Sequence, residues 1–501
     1  MGEKFALLEE KLKEVWDLSV VMELLGWDQE VNMPAGAGEA RGAHLATLSK
    51  IHHERLTSAE MGELLAAAQA EVKGQRSDGY APSLVRVGQR KFDQATKLPT
   101  ELVMELTRLR SLAQSAWVKA RNEDDYGLFQ PWLEKLVDLV QQEAGYLGYE
   151  EHPYDALLDQ YEPEMTTAEV AKLFAELRKE LVPLVHEIQA RADVVDNRIL
   201  FGHFPEEAQS ALGRKISGAV GFDYSHGRLD SSVHPFATSF TSHDVRLTTR
   251  YNEDYFGASF FGIMHETGHG LYEQGFDAQF HRTPLADGAS LGIHESQSRL
   301  WENMVGRSRH FWRYALPLAQ EAYPDSLSGV EFEAFYRAIN QVTPSMIRVE
   351  ADEVTYNLHI MLRFEIEQGL LTGDINPADL PDYWNSRMES YLGIRPKTNR
   401  EGVLQDIHWA IGLFGYFPTY ALGNLMAAQL YDCFLADHPD FPQEMEKGEF
   451  STLLQWMREH VHRHGATYTP QVLMQKVTGE GVKVAPFMRY LRQKYSDIYG
   501  L

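Results

Sequence analysis

His265-Glu266-Thr267-Gly268-His269 is the stretch of this sequence whose residue types and spacing point most directly to chemistry. On a helix, histidines at i and i+4 project from one face a turn apart, the spacing at which both imidazoles hold one zinc ion. Glu266 lies beside them, placed to reach a water on the ion rather than the ion itself. Such an arrangement serves a zinc hydrolase, in which the metal lowers the pKa of its water to about 7 and the carboxylate takes the proton. The preceding Phe256, Phe260, Phe261, Ile263 and Met264 predict a helix packed on several sides, where unpaired imidazoles would be costly. With 20 histidines in the chain the pattern alone is not decisive, and the bland alternative is a helix carrying two satisfied histidines.

A catalytic zinc site normally takes three protein ligands. A third histidine at the extended spacing is absent, because Tyr272 and Gly275 stand where the pattern wants other residues. Glu273 is four residues beyond His269 but about 12 Å along a straight helix from His265, too far to close the same coordination sphere. The stronger candidate is Glu295, in His294-Glu295-Ser296-Gln297 on the next predicted helix, with Glu302 as fallback two turns on. The bland reading of Glu295 is an exposed glutamate at a helix start.

These residues need elements to position them, and helical periodicity dominates the chain. Leu7, Leu8, Leu12, Val15, Trp16 and Val20 recur at three- and four-residue steps and stop before Met33-Pro34. Similar patterns predict helices over roughly 36–72, 82–121, 128–147 and 167–192. Between Phe222 and Arg250 the texture changes to Ser, Thr, His and Asp with short alternating runs, Phe236–Phe240 and Val245–Thr249, which predict two or three short strands. Helices resume at 257–275 and 288–308 and continue to the end. The expected architecture is a mainly α body enclosing a small sheet, read as a single domain over 1–501 with no internal repeat or linker.

Composition narrows the class. The 501 residues are 44% hydrophobic and 24% charged, enough to bury a large core without disulfide or metal. Cys433 is the single cysteine, so no disulfide forms within the chain, which fits a reducing, cytoplasmic setting. A net charge of −25 argues against nucleic-acid and anionic-membrane partners. The first residues lack an apolar signal core, and no apolar run reaches the roughly 20 residues of a membrane span.

Six motifs in order give the chain a resemblance to the thermostable carboxypeptidase Taq family of metallocarboxypeptidases. They are His234-Pro235-Phe236, Asp244-Val-Arg246-Leu-Thr248, His265 to His269, His294 to Gln297, Ile347-Arg348-Val-Glu-Ala351-Asp352, and Gly402-Val-Leu-Gln405-Asp406-Ile-His408-Trp409. Trp27-Asp28-Gln29 and Met33-Pro34 are similar as well. The resemblance implies a nearly all-α fold with a deep active-site groove, a small β-sheet near the metal and usually a homodimer. It further implies removal of C-terminal amino acids from peptides with a free C-terminus and broad side-chain tolerance, using zinc with cobalt as an effective substitute.

On that reading His265, His269 and Glu295 hold the metal and Glu266 is general base, then carries the proton to the leaving amine. An oxyanion donor besides the metal is needed, and His408 and Tyr420 are the candidates, against plain packing roles. A carboxypeptidase must also bind the substrate's terminal carboxylate, most simply with an arginine fork. Arg348 is the first choice and Arg246 the second, although Arg348 could pair with Asp352 at i+4 and Arg246 with Asp244. His234 is assigned to the groove lining or to a metal-supporting role. The His460, His462 and His464 cluster lacks a partnering glutamate and precedes Gly465, so it reads as a helix C-terminus.

The long helices of 1–120 are the expected lid or wall of the groove, 220–250 the sheet and 257–308 the metal-binding helices. The competing functions are a zinc oligopeptidase cutting internal bonds with the same site and a non-enzymatic acidic helical scaffold. An aminopeptidase is disfavoured, since no acidic motif precedes His265 to capture a substrate amine.

Overall fold

The computed structural model describes residues 2–501. Its described residues form 21 α-helices, shorter 3-10 and π segments, and one three-stranded sheet. Contacts divide the chain into two compact units. The first comprises Met1–Thr96, Asp196–Ile339 and Met426–Gly481; the second comprises Lys97–Val195, Asn340–Leu425 and Val482–Leu501. The 1–120 stretch is thus shared between them, with 97–120 belonging to the second. Among the described residues no helix is long and apolar enough to cross a membrane.

In the first unit the N-terminal helix runs Glu3–Val31 and ends before Pro34. Leu8, Leu12 and Val15 face inward, whereas Leu7 of the same periodic set turns to solvent, 46% exposed. These residues build a core with Leu65, Leu84, Val85, Phe280 and Leu285. The helix predicted over 36–72 is two, Gly38–Leu56 and Ala59–Glu71. Ser58 starts the second by accepting from the Met61 amide at 3.2 Å, a cap that interrupts apolar periodicity without changing it. The pattern over 82–121 likewise divides into Tyr80–Lys97 and Thr100–Glu123, because Pro99 disfavours helical geometry at Leu98.

The sheet contains β1 (Gly227–Ser231), β2 (Ala237–Thr241) and β3 (Asp244–Thr249) in the order β1-β3-β2. β2 and β3 form an antiparallel pair with Thr238 opposite Arg246, and β1 lies parallel to β3 with Leu229 opposite Leu247. Val245 and Leu247 point into the unit and are fully buried.

The helix Gly257–Glu273 packs against this sheet. A Cβ built on Gly270 would stand 2.7 Å from the Phe222 ring and 2.8 Å from Leu247 Cδ2, so a larger residue there would have to push these side chains aside. On its first turns the helix joins an aromatic cluster in which Phe256 and Phe260 meet Trp312 at ring separations of 5.8 and 4.9 Å. The segment predicted as one helix over 288–308 is an α-helix over Leu291–Arg299 followed by a π-helical turn over Leu300–Val305.

In the second unit the helix Tyr356–Thr372 is buried on nearly all sides. Its Glu367 accepts from Tyr154 Oη at 2.7 Å, Trp409 Nε1 at 2.8 Å and the Gly415 amide at 3.1 Å. That carboxyl therefore ties the helix to the 408–415 turn.

Candidate metal centre

The centre is built inside the first unit by two helices, Gly257–Glu273 and Leu291–Arg299. Gly268, in the middle of the histidine motif, decides how close they come. A Cβ there would lie 2.5 Å from both the Gln297 carbonyl oxygen and Ser298 Cα, main-chain atoms that no rotamer change can move. The approach brings Glu295 Oε2 to 3.7 Å from His265 Nε2 and 3.6 Å from His269 Nε2.

Three ligand atoms of these residues lie within 4.8 Å of one another. Ligands at zinc distances on a tetrahedral ion are about 3.4 Å apart, so the set fits a divalent cation with small adjustment. The donor chemistry also fits, two imidazoles and a carboxylate with a position left open. Burial, with His294 and His265 close by, pushes His269 well below its ordinary value and keeps the ring neutral, the form a metal takes.

Neighbouring residues engage the outer atoms of the set. Glu302 Oε2 is 2.9 Å from His265 Nδ1, and Arg299 Nε donates to Glu295 Oε1 at 2.6 Å. Burial works against the Glu302 charge, but Arg299 and the His265 hydrogen bond outweigh it and hold its carboxyl at about 2. It is therefore an ionised acceptor, and His265 donates from Nδ1, leaving Nε2 for a cation. Glu302 stands on the π-helical turn and reaches the back of the ring, not the metal face where the fallback reading put it. Glu266 is 6% exposed, and burial first, with Glu295 and Glu302 adding to it, pushes its carboxyl up to about 7.

Of the other sequence candidates, Arg246 and His234 share this unit. Arg246 gives its fork to Asp244, with Nε and Nη2 both 2.9 Å from the carboxylate, and lies 4.2 Å over the Trp27 ring. His234 is exposed in the loop between β1 and β2.

Arg348, His408 and Tyr420 belong to the second unit. Arg348 sits in a 3-10 turn and pairs with Asp406, Nη2 to Oδ1 at 2.7 Å, while Nη1 donates to Tyr356 Oη at 2.9 Å. The i+4 pair with Asp352 does not form, because Asp352 instead accepts from the amides of Thr343, Val354 and Thr355. Arg363, fully buried, donates to the other Asp406 oxygen at 2.7 Å, and Tyr420 lies under Arg348 with 5.1 Å from ring centre to guanidinium. His408 Nδ1 is 3.8 Å from Asp406 and has no hydrogen-bond partner, so Asp406 serves the arginines rather than orienting the histidine.

Sequence reasoning missed Arg363 and the His294–Glu273 contact, and misplaced Glu302. Arg363 carried no motif; His294 stood in one but beside the more telling Glu295. The cluster at 460–464 is structural in a different way from a helix end alone. His462 is fully buried, and its Nε2 lies 3.0 Å from Gln297 Oε1, behind the helix that bears Glu295.

A mainly helical molecule with a small sheet and a two-histidine, one-carboxylate centre, its histidines partly buried and its carboxylate buried, beside a further buried glutamate, defines a metallohydrolase. Comparison with known proteins narrows this. The family model described as "Carboxypeptidase Taq (M32) metallopeptidase" matches residues 7–495, and the chain belongs to that family. It is 41% identical over 491 residues to "Carboxypeptidase 1" of Bacillus subtilis and 42% identical over 498 residues to "Thermostable carboxypeptidase 1" of Thermus thermophilus, covering 97% of each pair of chains. The crystal structure of an M32 carboxypeptidase from Deinococcus radiodurans R1 superposes with a TM-score of 0.97 at 40% identity, over 100% of both chains.

Proposed function

We propose that this protein is a zinc-dependent carboxypeptidase, removing single residues from the C-terminus of peptides with broad side-chain tolerance. The observation that carries the reading is the convergence of His265, His269 and Glu295 within 4.8 Å beside the buried Glu266. Cobalt is expected to replace zinc.

A divalent ion held there would supply Lewis acidity to the scissile carbonyl and to the attacking water. Glu266 takes a proton from that water on its carboxylate and delivers it to the leaving amine. A carboxyl lifted by burial toward neutrality suits both halves of that shuttle. His408 and Tyr420 are the proposed donors to the developing oxyanion; burial holds His408 down at about 4, so it is a neutral imidazole at working pH.

Arg348 is the proposed anchor for the substrate carboxylate. Together with Arg363 it shares the single carboxylate of Asp406, leaving one positive charge in excess among the three. Arg246, already neutralised by Asp244, is the second choice, and exposed His234 is assigned to substrate lining. A cytoplasmic homodimer, with the helices of 1–120 as a lid or wall, completes the reading. Deleting residues 1–94 would then change specificity, and a folded deletion variant of unchanged specificity would remove that part.

The test is mass spectrometry of peptide ladders from free-acid and amidated versions of one sequence, with apo, zinc-loaded and cobalt-loaded protein. Stepwise loss from the free-acid peptide only, dependent on metal, is expected. Internal cuts in both peptides would replace the carboxypeptidase by an oligopeptidase and demote Arg348.

A further inference from the structure

The two metal-site histidines are braced in different ways. His265 has an ionised carboxylate, Glu302, directly on its outer nitrogen at 2.9 Å. His269 has none: its Nδ1 lies 2.6 Å from Nδ1 of another imidazole, His294. The far nitrogen of His294, Nε2, is 2.7 Å from Glu273 Oε1, and Glu273 Oε2 accepts from Ser239 Oγ of β2 at 2.6 Å. From these contacts we infer that His294 and Glu273 are positioning residues for the metal, a two-member relay that fixes the tautomer and direction of His269 and anchors it to the sheet.

Proton accounting gives the chain one direction. A neutral imidazole that offers Nε2 to a cation carries its proton on Nδ1. His269 must then donate to His294 Nδ1, which leaves the His294 proton on Nε2, pointing at the Glu273 carboxylate. Glu273 in turn is held by the Ser239 hydroxyl. Every proton along the chain has a defined place, and reversing the His269–His294 hydrogen bond takes the Nε2 lone pair of His269 away from the ion.

Local geometry explains why an extra imidazole is needed. His269 and Glu273 are i and i+4 on one helix, so they share a face, but the His269 ring presents its outer nitrogen to the neighbouring helix. His294 comes from that helix and bridges the two. The next residue, Glu295, is about 100° further round the same helix and serves the inner nitrogens. One helix turn thus supplies both a ligand and the brace for a second ligand. His294 places its two ring nitrogens 2.6 Å from a ligand's imidazole and 2.7 Å from a carboxylate, so both ends of the ring are committed to the chain.

The inference rests on the metal-site reading above, and one experiment separates the two. Zinc affinity is measured by competition with a chromophoric chelator, and the absorption bands of the cobalt-loaded protein are recorded. The proteins are wild type, His269→Ala, His294→Phe, His294→Gln, Glu273→Gln and the double variant His294→Phe/Glu273→Gln, with thermal melts of each apoprotein as the folding control. A relay predicts that His294→Phe weakens zinc about 10–100-fold and shifts the cobalt bands. Glu273→Gln should weaken it less, and His294→Gln, which can accept and donate, should recover part of the loss. The double variant should bind no worse than His294→Phe, because Glu273 acts only through His294. Should His294→Phe not fold, Glu273→Gln and Ser239→Ala, each weaker in zinc with the apo melt unchanged, carry the test. Affinity within twofold of wild type in folded His294→Phe, or losses that multiply in the double variant, would overturn the relay alone. Failure of wild type to bind an ion, or unimpaired binding by His269→Ala, would overturn the metal site and the relay with it.

Discussion

Glu302 Oε2 lies 2.9 Å from Nδ1 of His265, while Glu295 approaches the same ring from Nε2 at 3.7 Å. Two carboxylates seven residues apart therefore address opposite nitrogens of one imidazole. They are not interchangeable. Glu295→Gln is expected to abolish tight zinc binding, whereas Glu302→Gln should weaken it only about 10–100-fold. Metal content after dialysis against graded chelator distinguishes the two; equal losses would mean that Glu302 ligates too.

Glu266 is neither one of the three ligands nor a hydrogen-bond partner of one, so its removal should separate chemistry from binding. In Glu266→Gln the expected metal content is that of wild type, while kcat falls by about 10²–10⁴-fold or more. Steady-state kinetics beside elemental analysis checks this. Retained activity in a metal-replete variant would remove Glu266 from the mechanism.

Gly268 permits the contact between the two metal-bearing helices. Gly268→Ala would force Cβ against Gln297 and Ser298 main-chain atoms now 2.5 Å from its position, and overpacking of this kind costs about 1–3 kcal/mol. Because the strain displaces Glu295, zinc affinity should fall together with stability. Urea unfolding and chelator competition on the same variant read both, and unchanged zinc affinity would show that the helices separate without moving the ligand.

Asp406 is the single carboxylate shared by Arg348 and Arg363. Burial opposes its charge, but the two guanidiniums hold it well below the usual carboxylate range. Asp406→Asn leaves two buried cations facing each other and should cost about 3–5 kcal/mol. Urea unfolding measures the loss, and a cost below about 1 kcal/mol would mean the cluster is solvated.

His408 supplies a pH dependence. Burial lowers it from 6.5 to about 4, with Arg348 and Arg363 adding to that effect against Asp406. Between those values the unfolded chain binds a proton that the folded chain refuses, so stability falls as pH drops from about 6.5 to 4. A shift of this size is worth roughly 3 kcal/mol. Denaturation midpoints across that range should decline less steeply in His408→Phe than in wild type; parallel curves would show that His408 titrates normally.

Helices and the histidine pair were legible in the sequence because both are set within a few residues. An i, i+4 spacing on an apolar-periodic stretch fixes two imidazoles on one face whatever surrounds them, and the helix Gly257–Glu273 carries them so. Element ends were less legible: a serine cap at 58 and a proline at 99 divide stretches whose periodicity runs straight through them. The parallel partner of β3 and the π turn over Leu300–Val305 depend on packing, which no local pattern encodes. Arg348 shows the same limit. Its sequence neighbour Asp352 was a plausible partner, yet backbone amides claimed that carboxylate, and Asp406, 58 residues away, took the guanidinium. Motif order made the family recognisable, since those residues answer to chemistry. Which carboxylate braces which ring was decided by the tertiary structure, because hydrogen bonds about 3 Å long depend on how two helices approach, and that approach is set by a missing Cβ at Gly268.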